Sequence, residues 1–322
     1  MLMLKKTIAA LSLLSILAAC QNDENPSQPE PKPRQDINLT RAEQEFMDKG
    51  TDFAFRFFDQ VCSTEKEKPN VFVSPLSASL CLSMITNGAT DNTLAEMQNV
   101  LGFPANTFSL DDLNNYNQKL TSALLDLDNT TQLGIANSIW IEEGFKVYDS
   151  FVDVNKKMYD AQVQELDFTS PTAKDVINQW CATQTNNCIK EVIQEIPADA
   201  RMYLINALYF KGIWKSQFDK SATGQDNFTN VDGSQQKVAM MNQTATFNYT
   251  QTDDFSIAEL PYGNEAFSMV ILLPSGDKTL DESLPSLNYE NWKQWSKNMV
   301  GKELQIKLPR FKVEYDLSLI HI

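Results

Sequence analysis

A chain of 322 residues with 42% hydrophobic residues has ample material for one large core or two ordinary ones. Its net charge of -15 excludes a nucleic-acid partner, because holding phosphates needs clustered Lys and Arg. The surplus of acidic groups describes instead the solvated surface of a secreted protein.

The first stretch, MLMLKKTIAALSLLSILAAC, places Lys5 and Lys6 ahead of an apolar run from Ile8 to Ala19. A run of about a dozen residues is too short for a membrane span of ~20 and fits a secretory signal. Its last four residues, Leu17-Ala18-Ala19-Cys20, look like a bacterial lipobox. That resemblance implies a signal peptide at 1–19, lipid on Cys20, and a membrane as partner. It places the protein at a bacterial membrane, on the cell surface or in the periplasm. Residues 20–39 carry the polar, Pro-rich QNDENPSQPEPKPRQD, which cannot pack a core and reads as a semi-rigid tether.

The folded domain is expected over 40–322. Thr40 and Glu43 form a capping box, after which Phe46, Phe53 and Phe57 share one helix face. In NVFVSPLSASLCLSMITNGA, Ser74 caps a second helix with Pro75 at its first position. Leu76, Leu80 and Met84 make its apolar stripe, and Gly88 is a plausible stop. QLGIANSIWIE reads as a strand, and the helix after it is drawn through DSFVDVNKKMYDAQV. AKDVINQWCATQT is a further helix. MYLINALYFKGIW is apolar on both faces and predicts a buried central strand. ATFNYTQ, SIAELPY and FSMVILLP predict three more strands. At the far end, Leu304, Ile306 and Leu308 alternate with polar residues, and Phe311, Val313 and Tyr315 alternate again. Helices lead and strands follow, the order of an α+β domain.

Catalytic motifs are missing. His321 is the one histidine, two residues or fewer from the end, so a Ser-His-Asp or Cys-His hydrolase has no base. No Walker A loop, H-E-x-x-H or G-x-S-x-G occurs. Asp111 with Asp112 and Glu142 with Glu143 are adjacent carboxylates, which read as solvated surface. DLDNTT lacks the Gly and the closing Glu of an EF-hand. Cys62, Cys81, Cys181 and Cys188 have no zinc-ligand spacing, so neither metal nor cofactor is expected. Cys81 reads as a buried thiol. Cys181 and Cys188 lie too far apart along a helix to bond, about 10 Å, unless the helix ends between them.

Taken together, NVFVSPLSASLCLSMITNGATDNTLAEM, ANSIWIEEGF, MYLINALYFKGIWKSQF, VAMMNQ, IAELPYGNEAFSMVILLP and LPRFKVEYDL resemble the serpins, in the family's order and spacing. The resemblance implies helices around three mainly antiparallel or mixed sheets, and a mobile reactive loop. It implies an inhibitor, monomeric and not an enzyme, whose partner is a serine or cysteine protease. The protease cleaves the loop, which then enters the largest sheet as a new strand, a switch known for this family. Four residues match positions that gate insertion: Asn206 in its apolar strand, Ser74 and Ser77 beneath the sheet, and Trp214 where the loop first enters. Asn187-Cys188 stands where the family usually has Gly-Lys, and Asn tolerates the same left-handed turn.

The resemblance also places a helix, a sheet strand, the reactive loop and the last strands after LPRFKVEYDL. None is in the sequence, so a C-terminally truncated and inactive serpin domain is the expectation, with no reactive-loop residue to name. Two other readings stand beside the inhibitor: a non-inhibitory binding or chaperone module on the same fold, and a surface lipoprotein binding glycan or protein.

Overall fold

The computed structural model describes residues 30–104, 107–313 and 315. The signal stretch, Cys20 and His321 lie outside them. Four helices come first: α1 (Arg41–Thr64), α2 (Pro75–Thr86), α3 (Asp91–Leu101) and α4 (Leu110–Asp126). The Thr40–Glu43 box forms, with Glu43 accepting from the Thr40 N–H at 2.7 Å. Asp112 makes the same box with Ser109, so one member of that acidic pair caps a helix. Phe46, Phe53, Leu101, Phe108 and Tyr116 close a core between these helices, with Phe57 packed against it.

The first sheet has the order β2-β1-β3, from β1 (Gln132–Glu142), β2 (Ala161–Leu166) and β3 (Met202–Lys211). The β1–β2 pair is parallel and β1–β3 antiparallel, so the sheet is mixed. Helix α5 (Asp149–Tyr159) makes the parallel crossover. Alternate residues of the strands feed two cores. Ile139 and Ile141 pack with Leu80 and Met84 of α2 and Phe151 of α5. Trp140 and Ala207 pack with Ile177 and Trp180 of α6 (Ala173–Gln184) on the other face. Helices on both faces explain why Ser138 through Ile141 are all buried, whatever their parity.

Three expectations change here. The helix drawn through Val163 stops at Tyr159, because Asp160 turns left-handed at φ 49° and the chain continues as β2. The strand MYLINALYFK is covered on both faces as expected, but it is not central. Among the described residues β3 pairs only with β1, and β1 is the middle strand. Strand order also ends at Pro309: residues 310–313 form no strand, and Phe311 is exposed.

The second sheet runs β4-β5-β6-β7, from β4 (Gly224–Thr229), β5 (Gln235–Gln251), β6 (Phe255–Pro261) and β7 (Ser268–Pro274). Past the short helix α7 (Leu280–Ser283) and α8 (Tyr289–Lys297), β8 (Val300–Pro309) returns to pair with β5. Strand β5 is continuous for 17 residues, and β4, β8 and β6 pair along it in turn. The described strands therefore form two hydrogen-bonded sheets where three were expected, while the α+β mixture holds. Phe255 and Ile257 are buried on one face of β6 and Leu260, of opposite parity, on the other, with Phe255 meeting Trp295 of α8 edge-on.

Candidate functional site

Asn206 sits in β3 opposite Asn137 of β1, its register partner. The Asn206 side-chain amide donates to Asn137 Oδ1 at 2.8 Å, and Asn137 Nδ2 donates to the Tyr159 carbonyl at 2.7 Å. Asn137 is buried, so both its amide groups need partners and both have one. Asn206 Oδ1 is also buried and, among the described residues, has no partner. Burial pushes the thiol of Cys81, on α2, up to about 12, only partly offset by the neighbouring Asn206 backbone.

The network continues beneath the sheet. Tyr159 donates its hydroxyl to Asn114 Oδ1 at 2.7 Å and accepts from Asn117. Asn114 and Asn87 exchange side-chain hydrogen bonds, at 2.8 and 3.1 Å. Burial raises the Tyr159 phenol to about 12, so it stays a neutral donor. One chain of side-chain and backbone groups thus runs from strand β3, through β1 and the end of α5, to α4 and α2.

The other two residues singled out under the sheet behave differently. Ser77 donates its backbone N–H and its hydroxyl to Ser74 Oγ, at 3.2 and 2.9 Å, at the start of α2. Among the described residues the two hydroxyls bond each other, and the side-chain amide of Asn206 goes to Asn137. Asn137, Tyr159 and Asn114 were not singled out from the sequence. Asn137 carried the signal that marked Asn206, an amide within an apolar strand. Tyr159 and Asn114 carried none, since polar residues on amphipathic helices read as facing solvent.

Trp214 lies just past the end of β3 and bridges to Tyr262. Their rings stack at 4.3 Å with 16° between planes, and Phe218 meets Trp214 edge-on. Gly212 makes this approach possible, because a Cβ there would lie 2.7 Å from the Tyr262 ring. The Gly263 N–H donates to the Ile213 carbonyl at 2.8 Å and ties the β6–β7 hairpin to the same place. That hairpin also grips the turn between α4 and β1. Asn264 donates to the Leu127 carbonyl at 2.8 Å, and the buried Asp128 carboxylate accepts from Thr130, Thr131 and Asn264.

The four described cysteines are free: Cys181 is buried, Cys188 is exposed, and Cys62 and Cys81 are half-buried, so Cys81 is less enclosed than its helical pattern suggested. Helix α6 ends between those two, at Gln184, and Asn186 and Asn187 both take positive φ, so the left-handed turn survives without glycine. Among the described residues no group of three His, Cys, Asp or Glu could hold a metal, and no helix is long and apolar enough to cross a membrane.

A family model described as serpin (serine protease inhibitor) matches residues 48–322. An uncharacterized serpin-like protein of Methanosarcina acetivorans is 33% identical over 274 residues, which is 83% of this chain and 63% of that protein. Human Serpin B3 is 31% identical over 290 residues, 83% of this chain and 74% of its own length. Among solved structures, the thermophilic serpin tengpin in its native state aligns with a TM-score of 0.78 at 30% identity, over 89% of this chain and 71% of that one. The chain thus spans less than two thirds of the archaeal relative's length.

Proposed function

The chain belongs to the serpin family, and on that premise we propose that the whole protein inhibits a serine or cysteine protease by offering a reactive loop and, once cleaved, taking it up as a strand beside β3. Serpins in general target proteases and act as inhibitors, not as catalytic enzymes. The observation that carries the reading is the edge of β3, which pairs with β1 alone among the described residues while both its faces are covered. A strand added there gains ladder hydrogen bonds worth roughly 0.5–1.5 kcal/mol each, so about a dozen supply on the order of 10 kcal/mol.

Asn206, Trp214, Ser74 and Ser77 are assigned to the gate on this reading. The Asn206–Asn137 bond resists separation of β3 from β1, and the Trp214–Tyr262 stack sits where an incoming strand starts. Cys20 carries the lipid, and the protein works as a monomer at a bacterial membrane. The test uses the protein expressed with the loop that the family places after Leu317. Incubation with trypsin-like, chymotrypsin-like and elastase-like enzymes should give a heat-stable covalent complex on a denaturing gel with at least one. Clean degradation by all three contradicts it. Membrane recovery that is lost in Cys20→Ser tests the anchor separately.

A further inference from the structure

Residues 30–39 form no helix or strand, yet they are not loose on the body. The Asn129 side chain clamps Glu30–Lys32 as a backbone amide would: its Oδ1 accepts the Lys32 N–H at 2.8 Å, and its Nδ2 donates to the Glu30 carbonyl at 2.9 Å. Lys32 Nζ adds a 2.7 Å ion pair to Asp126 at the end of α4. At the other end of the segment, Ile37 is half-buried and Leu39 packs against the helical core. The turn that holds this strap is itself fixed, since Asp128 and Leu127 are bonded to Asn264 of the β6–β7 hairpin.

We propose that the Glu30–Lys32 strap sets the orientation of the body on a lipid bilayer, holding the α4–β1 turn and the β6–β7 hairpin toward the membrane. The inference rests on the lipid at Cys20 proposed above. Chain length decides it. Residues 20–39 span at most ~70 Å when extended, but the ten residues 20–29 span only ~35 Å. A domain of this size is about 50 Å across, so a path around half of it is about 80 Å. A ~70 Å tether nearly frees the body to turn any face to the bilayer. A ~35 Å tether rooted at Asn129 does not. The far end of β1 leads to the exposed Lys146 and lies about 36 Å from the strapped turn, by the rise of an 11-residue strand.

The experiment uses the lipidated full chain, with Cys62 and Cys188 replaced by Ser, in phosphatidylethanolamine–phosphatidylglycerol vesicles. A fluorophore is placed by Leu125→Cys or by Lys146→Cys and quenched with spin-labelled phosphatidylcholine. Quenching severalfold stronger at 125 than at 146 is expected, and this difference should collapse in a Lys32→Ala/Asn129→Ala variant that stays in the vesicle fraction. Equal quenching in the strapped chain, or an unchanged difference in the variant, overturns the strap's role. Recovery of the chain outside the vesicles overturns the anchor and the orientation with it. In that case a Lys32→Cys/Asn129→Cys disulfide on the soluble chain still reads whether the strap docks.

Discussion

Asn206 and Asn137 face each other across the β1–β3 ladder and share one side-chain hydrogen bond of 2.8 Å. Their positions are not equivalent. Asn137 makes two side-chain bonds, and Asn206 makes one while keeping a buried oxygen without a partner among the described residues. Removing Asn137 therefore strands two groups, the Asn206 amide and the Tyr159 carbonyl. Removing Asn206 strands one and also deletes the orphan. Asn206→Ala should cost about 1–3 kcal/mol, and Asn137→Ala about 1 kcal/mol more. Urea unfolding of the two variants and of the double variant checks the ranking and the coupling. Equal, additive losses contradict it.

The β6–β7 hairpin and the α4–β1 turn interlock with no room for another atom. A Cβ on Gly263 would lie 2.1 Å from Thr130 Oγ1 and 2.2 Å from Asp128 Oδ2, at a φ of +37°. Both are short, hydrogen-bonded groups that cannot swing away. Gly263→Ala should destabilise by more than ~2 kcal/mol. It should also change the Trp214 fluorescence, because the hairpin carries the stacked Tyr262. A melting temperature and emission spectrum like those of the parent protein argue against the interlock.

Acid should weaken the fold through specific carboxylates. The Lys119 ammonium and the Thr40 N–H hold Glu43 at about 2, below its ordinary 4.5. Burial pushes Asp128 up, but the donations from Thr130, Thr131 and Asn264 outweigh it and leave it below the usual range. A group whose folded pKa is depressed contributes stability that is complete above its unfolded value and is lost as pH falls through the folded one. For Glu43 that window runs from about 4.5 down to about 2. Thermal melts across this range should fall, and less steeply in Glu43→Gln. A flat profile, or the same slope in the variant, contradicts the assignment.

Thiol chemistry should follow exposure. Cys188 is exposed, whereas burial raises Cys81 to about 12 and Cys181 to about 11. A maleimide at neutral pH should label Cys188 first, the half-buried Cys81 far more slowly, and the buried Cys181 only on unfolding. Rapid labelling of Cys81 in the native protein would show the sheet opening beside Asn206.

What the sequence revealed, and what it hid, follows from which residues carry a local signal. The bounds of β1 are those of QLGIANSIWIE, because its apolar run ends in polar residues on both sides. The two covered faces of β3 were legible from its apolarity, but its edge position was not, since face burial says nothing about lateral partners. The stop at Tyr159 was hidden because Asp160 adopts the left-handed turn without the glycine that would announce it. The first half of β5, QQKVAMM, groups its polar and apolar residues instead of alternating them, so it does not announce a strand and is held by pairing with β4 and β8. In the site, Asn206 and Asn137 stand out as amides in apolar strands. Asn114 gains its meaning only once Tyr159 and Asn87 are folded against it.

The central claim is that the edge of β3, unpaired among the described residues, receives a strand, and amide hydrogen exchange over Met202–Lys211 tests it most directly. The protein carrying its reactive loop should be compared before and after one proteolytic cut in that loop. Insertion pairs β3 on its second side, so exchange across these residues should slow by orders of magnitude while β4 stays as it was. Unchanged exchange in β3 after complete cleavage would contradict the account.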